Sequence, residues 1–223
     1  MTRDELILQV ALRMDEITPS SGLDIPVDGA DNNPLYELID GLIDDCALEL
    51  FSVAPYWRLP QTQSDERDIT LSPVFAGTAY ERKVIRIKLA DDFLRVAEIN
   101  HPDFQRPITE VVPEQSPEGR HQHNRHLFAK SAKPVGVISH GIWDGVPCRE
   151  IDCYSVSKDT DGLTGIDASY IAKPEIINGY VEGIVPSVLI PALEWLTAAR
   201  AFGSRGDTNH AAICQQNAQN IIM

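Results

Sequence analysis

The sequence predicts an α+β fold in which helices at both termini pack together, with an antiparallel β-sandwich or barrel-like block inserted between them. Three observations predict it. Apolar side chains recur at spacings of three and four over residues 4–17 and 34–53. The middle breaks into short alternating segments separated by Pro, Gly and Asp. The last forty residues read as a helical hairpin. The domain reading follows: residues 1–60 and 186–223 form a helical core, and residues 61–185 form a β-rich domain.

The first helix is expected over residues 4–17, where Leu6, Ile7, Val10, Met14 and Ile17 share a face. Pro19 to Asn33 is rich in Ser, Gly, Asp, Asn and Pro, and reads as a loop. A second helix is expected over Pro34 to Val53, with Asn33 as its cap and Pro34 at its first position. Leu35, Leu38, Leu42, Cys46 and Leu50, widened by Ile39 and Ile43, are its expected buried stripe. Glu37, Asp40, Asp44, Asp45 and Glu49 are its expected wet face.

Strands are expected at residues 67–71, 84–89, 94–99, 108–112, 135–139, 150–156 and 168–172. The clearest is Val84 to Leu89, with Ile85, Ile87 and Leu89 on one face and Arg86 and Lys88 on the other. The closing hairpin begins at Pro186. Its first arm is apolar nearly all round, so it is expected to be buried on several sides. Gly203 and Gly206 supply the turn, and Asp207 or Thr208 caps the second arm. That arm carries small residues at Ala211, Cys214 and Ala218, which let helix backbones approach closely. Trp195, Leu196, Phe202, Ala211 and Ala218 are therefore candidates for packing between subunits.

The chain has 223 residues and a net charge of −14, concentrated toward the N-terminus. Residues 1–70 carry 15 acids against 4 bases, whereas residues 71–150 are nearly neutral. Static nucleic-acid binding needs Lys and Arg to displace counterions, so this balance argues against it. No apolar run approaches the ~20 residues of a membrane span, and the first residues do not read as a signal peptide. The expectation is a protein made and kept in a cytoplasm. Cys46, Cys148, Cys153 and Cys214 form no CxxC pair and read as reduced thiols.

No constellation points to catalysis. His121, His123 and His126 crowd together, but Arg120 and Arg125 interleaved with them would repel a cation. Asp159-Thr-Asp161-Gly162 matches the opening of a calcium loop, yet Tyr170 stands where the closing Glu belongs, so a turn is the expectation. Asp24, Asp28 and Asp31 are read as a soluble loop. No phosphate loop, nucleophile elbow or zinc-protease motif occurs. Arg205-Gly206-Asp207 is a chance match to an adhesion tripeptide. The expectation is therefore no catalytic residue, no cofactor and no metal.

Ile87-Lys-Leu-Ala-Asp-Asp-Phe-Leu-Arg-Val96 resembles a segment of phage head–tail connector or adaptor proteins: a strand followed by Pro-x-Asp-Phe-x-Arg, with Ala90 here in place of Pro. Pro191 to Ala199, then Gly206 to Ala211, then Ala218, is similar to the closing helices of those proteins. Within that group the chain looks closest to ring proteins of crAss-like podoviruses. The resemblance implies a virion protein at the capsid vertex that forms a ring, possibly a dodecamer, beneath the portal protein. Its partners would be itself, the portal and other tail or connector proteins. Genomic DNA would pass through without specific binding, and no membrane would be involved. Asp40, Asp44 and Glu49 are then candidates for a channel-lining or docking face. The competing readings are another virion component, such as a tail-completion or cargo-gating protein, and a non-viral binding β-sandwich. An enzyme ranks below these.

Overall fold

The computed structural model describes residues 1–17, 34–124, 126–157, 159–160, 162–176, 179–181 and 183–223. The loop expected at Pro19–Asn33, its cap and its aspartates lie outside the described residues, as do Arg125 and Asp161. The architecture is α+β, with helices toward both termini and two open sheets between them. The chain divides into two compact units, residues 1–60 with 173–223, and residues 61–172. Residues 173–185 thus group with the helices.

The helical unit holds α1 (Arg3–Ile17), α2 (Pro34–Val53), α4 (Ile190–Ser204) and α5 (Thr208–Ile222). Thr2 and Glu5 open α1 reciprocally. The Glu5 N–H donates to Thr2 Oγ1 at 3.2 Å, and the Thr2 N–H donates to Glu5 Oε2 at 2.8 Å. This satisfies two donors that a helix start would leave orphaned. Leu6, Val10, Ala11 and Met14 are its buried face. Pro191 sits in the first turn of α4, where its missing N–H costs least. The Asp207 carboxylate caps α5 by accepting from the His210 N–H at 3.2 Å. At the other end of α5, Arg58 donates to the carbonyls of Ile221 and Ile222 at 2.8 and 3.1 Å. That places a cation against the negative end of the helix dipole.

The buried stripe of α2 is rotated from its expected position. Its core face is Tyr36, Ile39, Ile43, Cys46, Ala47, Leu50 and Phe51, while Leu35, Leu38 and Leu42 are half-buried at its flank. The reason is a second apolar row, Ile39-Ile43-Cys46-Leu50, which competes with Leu38-Leu42 for the same packing. Only the neighbouring helices decide between the two.

The β unit contains β1 (Thr62–Gln63), β2 (Ile69–Val74), β3 (Arg82–Lys88), β4 (Phe93–Asn100), β5 (Val111–Pro113), β6 (Val135–Trp143), β7 (Val146–Val156) and β8 (Asp167–Ala172). One sheet has the order β1-β8-β4, the other β2-β3-β7-β6-β5. Their facing residues share one core, in which Ile85, Ile87 and Ile151 of the larger sheet meet Phe93, Val96, Ile99 and Ala168 of the smaller. Neither sheet closes, so the barrel-like option is replaced by two open sheets. The expected antiparallel pattern also has an exception, since β5 pairs with β6 in parallel. A crossover makes this possible: it contains α3 (Pro117–Gln122), a short helix outside the elements expected from the sequence. Ser116 caps α3 by accepting from the Gly119 N–H at 3.0 Å.

Asp144 and Gly145, with φ of 50° and 80°, form the two-residue turn between β6 and β7. This hairpin outruns its neighbours. β5 accompanies β6 only to Ile138, and β3 accompanies β7 only to Glu150. The pairs Gly141↔Cys148, Ile142↔Pro147 and Trp143↔Val146 therefore form a two-stranded arm with no third strand. A β-bulge interrupts β7 near its end, where Tyr154 and Ser155 stand opposite Val84 alone, and Ser155 takes φ 97°.

The packing of α3 generates one test. A Cβ on Gly119 would lie 2.5 Å from the Pro113 carbonyl oxygen and 2.6 Å from that of Glu114, both backbone atoms. Gly119→Ala is expected to cost about 1–3 kcal/mol, read as a lower midpoint in urea unfolding. Gly41→Ala, where nothing lies within 4 Å, serves as the control.

Candidate functional site

Asp40, Asp44 and Glu49, the candidates for a channel-lining or docking face, each meet an arginine of their own chain. Arg3 hydrogen-bonds Asp40 through Nε and contacts Asp44 through Nη1 at 2.9 Å. The hydrogen bond that Arg3 donates to Asp44 is the largest influence on its guanidinium and, with Asp40, raises its pKa despite partial burial. Arg200 Nη2 donates to Glu49 Oε2 at 2.6 Å, and Glu49 raises the Arg200 pKa in turn. The exposed row of α2 is instead Glu37, Gly41, Asp44, Asp45, Leu48 and Ser52. Asp40 and Glu49 sit on its shoulders, half-buried.

The packing candidates divide in the same way. Leu196 and Phe202 are buried at 5% and 4% exposure, and Ala218 is fully buried, all within the helical unit. Their surface is already spent inside one chain. Trp195, expected to be buried, is half-exposed. The Arg13 guanidinium stacks over its ring at 5.1 Å. Ala211 is half-buried and, with Glu49, Leu196, Arg200 and Gln215, lines a shallow hollow of about 240 Å³. The fold thus brings Glu49, Leu196 and Ala211 together, three residues far apart in sequence.

Arg13 has a second role. Its Nε donates to Glu194 Oε2 at 3.2 Å, and Glu194 is the buried carboxylate of α4. A buried carboxylate without a partner is strongly unfavourable.

The β unit holds groups that sequence reading missed. On one face of the larger sheet, Arg86 donates to Asp152 at 3.0 Å and lies 4.0 Å from Glu150. The Trp143 indole N–H donates to Glu150 at 2.9 Å. Burial drives the Asp152 pKa up despite Arg86. Strand alternation could have found this set, since Arg86, Glu150 and Asp152 fall on one face once the register is known. A second set surrounds Asp103, which accepts from the Ser157 N–H at 2.8 Å and the Thr160 hydroxyl at 2.6 Å. Burial alone would raise the Asp103 pKa, but these hydrogen bonds and His101 bring it below the ordinary value. Asp103 also borders a broad cleft with Tyr80, His126, Phe128, Lys130 and Ser155. Its carboxylate is committed to the Ser157 and Thr160 donors. Finally, a partly open cavity of about 190 Å³ lies between the sheets. Ile87, Val96, Ile151 and Ala168 form its buried wall, and Asp65, Asp68 and Lys88 border it.

The histidine cluster is spread out. His123 lies 3.6 Å from Glu114, and His126 packs edge-on against Tyr80. Among the described residues, no group of three or more His, Cys, Asp or Glu is placed to hold a metal ion. The four cysteines are unpaired thiols, and burial pushes Cys46 and Cys214 up to about 11. Among the described residues no helix is long and apolar enough to cross a membrane. No protein-family model and no curated protein matches the chain.

The Arg13–Glu194 pair can be tested directly. Arg13→Met is expected to cost about 2–4 kcal/mol, limited by the partial exposure of Arg13. Adding Glu194→Gln should recover most of that loss in thermal denaturation, because the stranded charge is gone.

His101 sets a pH dependence. It is 3% exposed, its Nε2 has no partner among the described residues, and burial lowers its pKa below 6.5 against the opposing pull of Asp103. In that window the unfolded chain binds more protons than the folded one. Its contribution is therefore intact above pH 6.5 and is lost as pH falls toward the lowered value. His101→Asn, which keeps an acceptor for the Asp103 N–H, should flatten the decline of melting temperature on acidification below 6.5.

Proposed function

We propose that this chain is a non-enzymatic virion protein that assembles as a ring at a head–tail connector, below the portal, around the path of DNA. The observation that carries the reading is the building plan: helices from both ends of the chain form one unit, and a two-sheet β unit is inserted between them. This is the order of elements that the resemblance at residues 87–96 and 191–218 implies. Within the 87–96 segment, Phe93 is buried in the β core and Asp92 accepts from the Tyr170 hydroxyl at 3.1 Å. The segment is thereby a structural corner between β3 and β4.

The channel role shifts to different residues from those first expected. Arg3 and Arg200 offset the charge of Asp40, Asp44 and Glu49, so these carboxylates lend less field to a channel wall. Glu37 and Asp45 are exposed on the outer row of α2 and are the better electrostatic candidates. A negative wall keeps DNA hydrated and avoids the cation–phosphate contacts that would hold it.

Two measurements test the reading. Cryo-electron microscopy of assembled particles is expected to find the chain as a symmetric ring at the capsid vertex; its absence from the particle would overturn the reading. Glu37→Lys with Asp45→Lys should fold normally, since exposed charges add little stability. In particles, this variant should slow DNA ejection, more so at low salt where screening is weak. Unchanged ejection kinetics would remove the channel role while leaving the ring.

A further inference from the structure

The β6–β7 arm and the inter-sheet cavity are complementary surfaces on one β unit. Ile142 is 74% exposed near the arm's tip. Strand alternation puts Ile142 and Pro147 on the same face as Arg149 at the arm's base. Arg149 is exposed, and no ion pair is seen for it among the described residues. The cavity offers the converse chemistry. Its inner wall is apolar, its volume of about 190 Å³ accommodates an aliphatic side chain, and its border carries Asp68, which pairs with Lys88 at 3.5 Å, and the exposed Asp65, which Arg67 approaches only at 4.0 Å. An apolar void of ~150 Å³ already suffices to hold a benzene ring.

We infer that the arm of one copy docks on the next, with Ile142 entering the inter-sheet cavity and Arg149 meeting Asp65 at its border. The occupant is a second copy of this chain because apolar tip, apolar cavity and opposite charges all reside on the same unit. Knob and hole are different patches, so the contact is head-to-tail. Such contacts propagate until they close as a ring or extend as a filament. This deepens the ring reading and rests on it for closure.

The experiment is sedimentation velocity of the full chain over a wide concentration range. Wild type is expected to associate reversibly. Ile142→Asp should weaken association by about thirtyfold or more, with an unchanged melting temperature because the side chain is exposed. Asp65→Arg, on the opposite surface, should do the same. The decisive sample mixes the two variants. The intact arm of Asp65→Arg can enter the intact cavity of Ile142→Asp, and growth stops there. A heterodimer should form that neither variant makes alone. A monomeric wild type, full association of Ile142→Asp, or no heterodimer in the mixture would each overturn the contact. None of these decides whether the chain sits at a capsid vertex, which microscopy of particles reads separately.

Discussion

Helix α4 is the constraint on which the helical unit depends. It is apolar on nearly every side, and a helix of that kind has no stable orientation at a water boundary. It must be enclosed, and α1, α2 and α5 all pack against it. The enclosure draws together segments from opposite ends of the chain. Burial also fixes the chemistry of the few polar groups that α4 carries. The Thr197 hydroxyl donates back to the Leu193 carbonyl at 2.8 Å, and Glu194 takes Arg13 from α1. Arg13 then stacks on Trp195, so one side chain neutralises a buried acid and shields an aromatic ring. The remaining arginine pairs, Arg3 with α2 and Arg200 with Glu49, lie nearer the surface and contribute less per contact.

The β unit solves a different problem. Two small open sheets bury one face each against the other, and thirteen buried residues make the shared core. Their outer faces need other cover. One half of the larger sheet receives a small second cluster of Val84, Val137 and Tyr154, roofed by Phe128 and its neighbours. The other half is polar, with Arg86 between Glu150 and Asp152. Two buried carboxylates share one guanidinium, and burial raises the pKa of Asp152 despite Arg86. Such a network fixes strand register more than it stabilises, because every member is correct in only one alignment.

Much of this was legible in the sequence. Helices over residues 4–17 and 34–53 follow from periodicity, the apolar arm expected from Pro186 becomes α-helical at Ile190 after a 3-10 turn, and Asp207, one of two cap candidates, starts α5. Most strands fall where alternation puts them. The parallel β5–β6 pair was not legible, because the direction in which two strands pair depends on the path of the chain between them. Helix α3 was missed because six residues with one buried glutamine and a glycine give no periodic signal. The projecting arm had a signal in Asp144-Gly145 between alternating segments, although its length depends on where the neighbouring strands stop.

The candidate sites divide along the same line. The sequence by itself determined which residues are acidic, small or aromatic, and on which elements they stand. That is local information, carried by spacing along one helix or strand. Only the tertiary structure decided which carboxylates are paired within the chain, because Arg3 and Arg200 reach Asp40, Asp44 and Glu49 from positions distant in sequence. It likewise decided that Leu196, Phe202 and Ala218 are spent within the chain, while Trp195 stays half-exposed under Arg13. The physical reason is that burial and charge pairing are properties of neighbours in space. A sequence specifies those neighbours only through the fold as a whole.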